Sequence, residues 1–318
     1  MAPACSMDKA REATCIMSEI KLFRINGSDS VEIAGEAVAL EKSLQQLIEA
    51  NLETFLGARF LAAEHITGKS HGGRIDTLGI DENHFPVIIE YKRAVNENVI
   101  NQGLFYLDWL LDHRADFKLL TLDRIGKEEA ERIDWSSPRL ICIAADFTKY
   151  DLHAVQQINR NIDLVRYRKF GKDLLALELV HSVTMAGALL DVAELKTKPK
   201  IGDKPVTQAL VDLEAEVKDV YEAIRAFLLA LGDDVTEKTT KLYVAFRRIK
   251  NFTTICVQKS ALLVYLKLNP DEVKPEPPFS RDVRTIGHWG TGDLELTIET
   301  MADFERAQPL LRQAYDGS

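Results

Sequence analysis

Between Gly72 and Arg93 the chain reads GGRIDTLGIDENHFPVIIEYKR, two apolar segments joined by a polar connection, Asp81 to Phe85. That pattern is a β-hairpin, and it restricts the fold more than any other stretch. Strand side chains alternate between faces, so Glu90 and Lys92 point one way while Val87, Ile89 and Tyr91 point the other. Folding about Asn83 and His84 brings Asp76 to within about one residue of facing Glu90, the reach of a cross-strand or diagonal pair. Two carboxylates and an ammonium then converge near the sheet surface. Carboxylates that close repel unless a cation lies between them, and a pair of hard oxygen ligands suits Mg²⁺. A surface ion pair between Glu90 and Lys92 on an edge strand accounts for the same residues. Against it stands the unbroken apolar run Val87-Ile88-Ile89, expected of a strand buried on both faces.

The 318 residues suffice for two domains, and 46% hydrophobic with 28% charged residues is an ordinary globular composition. A net charge of −9 excludes a surface that binds polyanions everywhere, so any positive contact with nucleic acid has to be local. Cys5, Cys15, Cys142 and Cys256 are scattered without metal-ligand spacing and read as reduced thiols. The expected compartment is the cytoplasm, because no apolar run is long enough for a membrane span and the first residues lack a signal-peptide core. Residues 1–16 read as a disordered leader, and Met17 is a candidate start.

The order of elements predicts an α/β domain over 17–195. An opening hairpin (Ile20 to Ile25, Val31 to Ile33) precedes one helix from Gly35 to Leu56, closed by Gly57. Leu40, Leu44, Leu47, Ile48, Leu52 and Phe55 form its apolar stripe, which places Glu41 toward the sheet and Glu49 and Glu53 outside the apolar arc. Then follow strands at Arg59 to Ile66, Arg74 to Asp81 and Pro86 to Lys92, a helix from Asn96 to His113, more helix at Lys127 to Arg132, and a strand at Leu140 to Ala145. The candidate site is expected at one edge of the sheet. Gln102 and Tyr106, four apart on the second helix, share a face. Strands are expected at Asp163 to Arg168 and Leu174 to Leu179, the first carrying Arg166, Arg168, Lys169 and Lys172, readable as a phosphate-contacting strip or as a charged edge strand.

Residues 196–207, twice interrupted by proline, read as a linker, and 208–318 as a smaller α+β domain. In it Arg247, Arg248 and Lys250 beside Phe246 and Phe252 read as a grip on single-stranded nucleic acid or as strand-end charges over core aromatics. The glycine-rich GHWGTG, Gly287 to Gly292, lacks the strand-to-helix setting of a phosphate loop.

Asp76, then Glu90-Tyr91-Lys92 fourteen positions on, with Glu41-x-x-Leu before and Gln102-Gly-Leu-Phe-Tyr106 after, resembles the PD-(D/E)XK nuclease superfamily and more narrowly its NucS-like endonuclease domain. Ile75 stands where the motif has proline. The resemblance spans Leu40 to Ala145 and implies a restriction-endonuclease-like αβββαβ core. It implies Asp76, Glu90, the Tyr91 carbonyl and Glu41 as ligands of Mg²⁺ or Mn²⁺. Lys92 is implied to activate or orient water, with Gln102 and Tyr106 supporting the site. The expected activity is metal-dependent hydrolysis of phosphodiester bonds in DNA, with RNA open as substrate and a homodimer open as the assembly. The alternative is a catalytically silent nuclease fold that binds nucleic acid or protein. The C-terminal part is similar to an uncharacterised bacterial domain, and that resemblance implies no chemistry for it.

Overall fold

The computed structural model describes residues 20–36, 42–68, 72–91, 99–184 and 204–318. A two-stranded hairpin, β1 (Leu22–Asn26) and β2 (Asp29–Ile33), opens the described chain. The N-terminal sheet then contains β3 (Gly35–Glu36), β4 (Ala58–Ile66), β5 (Arg74–Asp81), β6 (Pro86–Tyr91), β7 (Arg139–Ala144), β8 (Asn161–Phe170) and β9 (Leu174–Val183). Its order is β3-β8-β7-β6-β5-β4, with β9 on the outer side of β8. Strands β4, β5 and β6 run antiparallel, whereas β6, β7 and β8 are parallel, so the sheet is mixed. The candidate hairpin is therefore interior and not at the sheet edge as the sequence suggests, because β7 continues the sheet beyond β6.

Helices cover both faces. On one, α1 (Lys42–Ala50) and α2 (Leu52–Leu56) lay Leu44, Ile48, Leu52 and Leu56 over Val87, Ile89, Tyr91, Ile141 and Ile143. On the other, α3 (Val99–Asp112), α4 (Arg114–Arg124) and α6 (Lys149–Gln156) pack over Leu78, Ile80, Ile88, Leu140 and Cys142, and α5 (Lys127–Arg132) lies against α4. Every residue of β6 is buried, as its apolar run requires.

The single helix expected from Gly35 to Leu56 is not one element. Gly35 and Glu36 pair with Phe170 and Lys169 as a short strand, and the helix breaks at Asn51, whose φ of −127° is not helical. Leu47 of the expected stripe is 45% exposed. Gly57 does close α2 in the left-handed region, its N–H donating to the Glu53 carbonyl.

The basic strip on β8 also differs from expectation. Arg166 is buried, donating to the Glu178 carboxylate at 2.6 and 3.0 Å, and β8 is paired on both sides instead of standing at an edge.

In the C-terminal domain α7 (Val206–Val211), α8 (Ala215–Leu229) and α10 (Met301–Asp316) cover one face of a six-stranded antiparallel sheet; a one-turn α9 (Pro270–Val273) follows its fourth strand. The strands are β10 (Thr236–Thr239), β11 (Val244–Arg247), β12 (Asn251–Val257), β13 (Leu262–Leu266), β14 (Ser280–Asp282) and β15 (Leu294–Ile298), in the order β10-β11-β12-β13-β15-β14. Phe246 and Phe252 are wholly buried beneath the helices, and Arg247 is buried against the N-terminal domain. The basic and aromatic cluster read from the sequence is thus core and interface.

The two domains are joined by polar contacts around the hairpin turn. Arg247 shares the Asp163 carboxylate with Arg139, at 2.7 and 2.6 Å, and Arg139 also reaches Asp81 at 3.2 Å. Tyr243 Oη and Asn251 Nδ2 donate to Asn83 Oδ1 at 3.0 and 2.7 Å, and Lys267 pairs with Glu82.

Candidate functional site

The site is built by a turn that fixes strand register. Asp81 Oδ1 accepts from the N–H groups of Asn83 and Phe85 at 2.9 and 3.0 Å, and His84 takes the left-handed conformation at φ 64°. The resulting register pairs Ile80 with Pro86 through to Thr77 with Ile89. One step further Asp76 faces Glu90, the position the sequence leads one to expect. Here side chains replace the ladder bonds. The Asp76 N–H donates to Glu90 Oε1 at 3.1 Å, and the Tyr91 N–H donates to Asp76 Oδ2 at 3.0 Å. Each carboxylate is thereby oriented by the other strand's backbone, and Glu90 is fully buried.

On the other side of β5, Ala63 pairs with Thr77 and His65 with Ile75, which puts Glu64 of β4 across from Asp76. Glu64 has a φ of 53° and forms an ion pair with Arg74 at 2.5 Å. A left-handed glutamate in a strand is a local departure of the kind that gathers at functional sites.

Glu41 and Lys92 lie outside the described residues. The helix acid that the structure does bring to the hairpin is Glu49, which the helical wheel places outside the apolar arc. Thr77 Oγ1 donates to its Oε1 at 2.7 Å, and Gln45 Nε2 donates to the same atom at 2.9 Å. The Tyr91 phenol is buried between these groups. Burial, and then the charges of Glu49, Asp76 and Glu90, push its pKa well above the ordinary value.

Gln102 and Tyr106 also come to the site. Tyr106 Oη accepts from the Arg74 N–H at 3.1 Å, two residues before Asp76, and Gln102 Nε2 lies 3.5 Å from the same oxygen. Gly73 makes this approach possible, since a Cβ there would lie 2.5 Å from the Tyr106 ring. Gly73 and Thr77 are site-forming residues that sequence reasoning does not single out.

Asp76 and Glu90 are hard oxygen donors on adjacent strands, and in kind they fit a divalent cation such as Mg²⁺. Among the described residues no three of His, Cys, Asp and Glu form a ligand group.

Comparison with known proteins bears on the second domain. Residues 206–318 match a domain of unknown function, DUF5655. Val206, where the match begins, is buried in the core of the C-terminal domain. The chain is also similar to an uncharacterized protein of Haemophilus influenzae, 29% identical over 303 residues, which cover 93% of this chain and 99% of that one. No solved structure matches. Among the described residues no helix is long and apolar enough to cross a membrane.

Proposed function

We propose that this protein is a divalent-metal-dependent nuclease acting on DNA, with a restriction-endonuclease-like core in its N-terminal domain. The observation that carries this reading is the facing pair Asp76 and Glu90 at the point where side-chain hydrogen bonds replace the β5–β6 ladder. Its support is the acid-hairpin-acid-x-Lys order of the sequence and the placement of Gln102 and Tyr106 beside the first acid.

Asp76 and Glu90 would hold the cation, their carboxylates neutralising it and fixing its position. When bound, Mg²⁺ supplies a water made nucleophilic near neutral pH and relief of charge on the phosphoryl oxygens. Tyr106 holds the start of β5, and so the backbone of Asp76, against α3. Glu49 holds Thr77, the next residue, from the opposite face. The assignment of Lys92 as water-orienting cation rests on the family resemblance.

Incubation of the purified chain with single-stranded, duplex and branched DNA, with Mg²⁺ or Mn²⁺, tests the reading. Metal-dependent cleavage falling about 100-fold in both Asp76→Ala and Lys92→Ala is expected. A second reading is a nuclease fold that only binds nucleic acid. Tight DNA binding with no cleavage under any metal would favour it over catalysis.

A further inference from the structure

The DUF5655 sheet is covered by helices on one face, and its other face holds a cavity of about 650 Å³, within the size range of small-ligand sites. Cys256, Tyr265 and Glu295 line its floor, the segment Ile286 to Trp289 one wall, and Lys259 and Arg281 its rim. The wall belongs to GHWGTG, the glycine-rich stretch for which the sequence offers no role.

This loop is fixed to the sheet, and its glycines explain how. Gly290 has a φ of 94°, and a Cβ there would fall 2.4 Å from Thr254 Oγ1. Gly292, at φ 138°, lies against the Leu266 backbone, with a Cβ contact of 2.7 Å. The Thr291 N–H donates to Thr254 Oγ1 at 3.0 Å, Asn251 Nδ2 donates to Thr291 Oγ1 at 3.3 Å, and the Cys256 thiol donates to the Trp289 carbonyl at 3.3 Å. A loop this constrained nevertheless displays Trp289 with 46% of its surface exposed. Beside it the His288 ring stacks on Tyr265 at 4.6 Å and 12°. Exposed aromatic surface held rigidly at a cavity mouth loses little conformational freedom on binding a flat partner.

The charges indicate the rest of the ligand. Glu295 is buried in the floor, but Arg281 takes both its oxygens at 2.5 and 3.0 Å, so no unneutralised carboxylate faces the cavity from there. Lys204 is likewise balanced by Asp212. Lys259 is exposed and makes no ion pair with any described residue, which leaves the rim with one uncompensated positive charge. Arg132, itself paired with Glu128, lies 5.8 Å from the centre of the Trp289 ring, and flat aromatic surface flanked by cations matches a nucleobase carrying a phosphate.

We infer that this cavity binds a nucleotide, its base stacked at Trp289 and His288 and its phosphate at Lys259, either as a free mononucleotide or as one unit of a single strand. The site is separate from Asp76 and Glu90 and stands independently of the cleavage reading.

The full chain, kept in EDTA so that no metal-dependent cleavage can occur, is titrated with dAMP, dTMP, a short oligo-dT and inorganic phosphate, with binding read by calorimetry and tryptophan emission. Saturable binding with Kd below about 1 mM is expected for a mononucleotide or the oligomer. It weakens about tenfold or more in Trp289→Ala and in Lys259→Glu, and is largely retained in Trp289→Phe and Asp76→Asn. Mononucleotide binding identifies a free nucleotide as the ligand, and binding of the oligomer alone identifies a strand. No saturable binding, equal binding of inorganic phosphate, or binding unchanged in both Trp289→Ala and Lys259→Glu would overturn the assignment.

Discussion

Asp163 of the N-terminal sheet receives Arg247 from the C-terminal domain at 2.7 Å, on the same oxygen that accepts Arg139 at 2.6 Å. Burial alone would raise the Asp163 pKa, but Arg247 and then Arg139 outweigh it and hold the carboxyl well below the usual range. The carboxylate is thus a joint between domains. Asp163→Asn would leave two buried guanidinium groups short of charge, and we expect a loss of about 3 kcal/mol or more in urea unfolding. Because the folded pKa is depressed, this stability is fully present above the unfolded value of about 4 and disappears as pH falls through the lower folded value. Wild-type stability that stays flat below pH 4 while the variant unfolds normally would contradict this.

Lys238 gives the opposite sign at the same interface. Burial, then the charge of Arg247, pushes its pKa down to about 8, with Asp134 and Asp81 pulling in the other direction. Below about pH 8 the folded protein carries a poorly solvated ammonium. As pH rises from 8 toward the unfolded value of about 10.4, the folded state has released a proton that the unfolded chain keeps, so stability rises. Denaturation midpoints between pH 7 and 9.5 should increase relative to Lys238→Met, in which this increment is absent. Identical pH slopes in the two proteins would rule out the effect.

Gly73 and Tyr106 couple α3 to the acid on β5. Gly73→Ala places a methyl group where the Tyr106 ring lies, and Tyr106→Phe removes the acceptor of the Arg74 N–H. Each should cost about 1–3 kcal/mol of stability. Cleavage should fall further than stability explains, because Asp76 is two residues from the lost contact. Activity that follows only the folded fraction would make these contacts structural.

The two acids of the helical segment separate by position. Glu49→Gln weakens the anchor on Thr77, whereas Glu53 is exposed. Half-saturation by Mg²⁺ is expected to rise several-fold in Glu49→Gln and to stay within about twofold in Glu53→Gln. Equal responses would remove Glu49 from the site.

The hairpin was legible in the sequence because its information is local. Asp81 and Asn83 set the turn, the turn sets register, and register places Asp76 opposite Glu90. A helical wheel drawn through Leu47 hides Glu49. Counting Leu47 as inward rotates the apolar arc away from Gln45, yet Gln45 is buried and Leu47 is not. The arc through Leu44, Gln45 and Ile48 carries Glu49 at its margin, and the polar pair Gln45 and Glu49 one turn apart was the available signal. The domain interface could not be read from local pattern, since Arg247 looks like a strand-end charge until Asp163, 84 positions earlier, is brought beside it.

Mn²⁺ binding to the full chain, followed by electron paramagnetic resonance, reports on the Asp76 and Glu90 pair without relying on cleavage. A saturable site is expected in the wild-type protein and is lost in Asp76→Asn and in Glu90→Gln, with both variants still folded. Folded variants that bind Mn²⁺ as tightly as wild type, or a wild-type chain that takes up none, would contradict it.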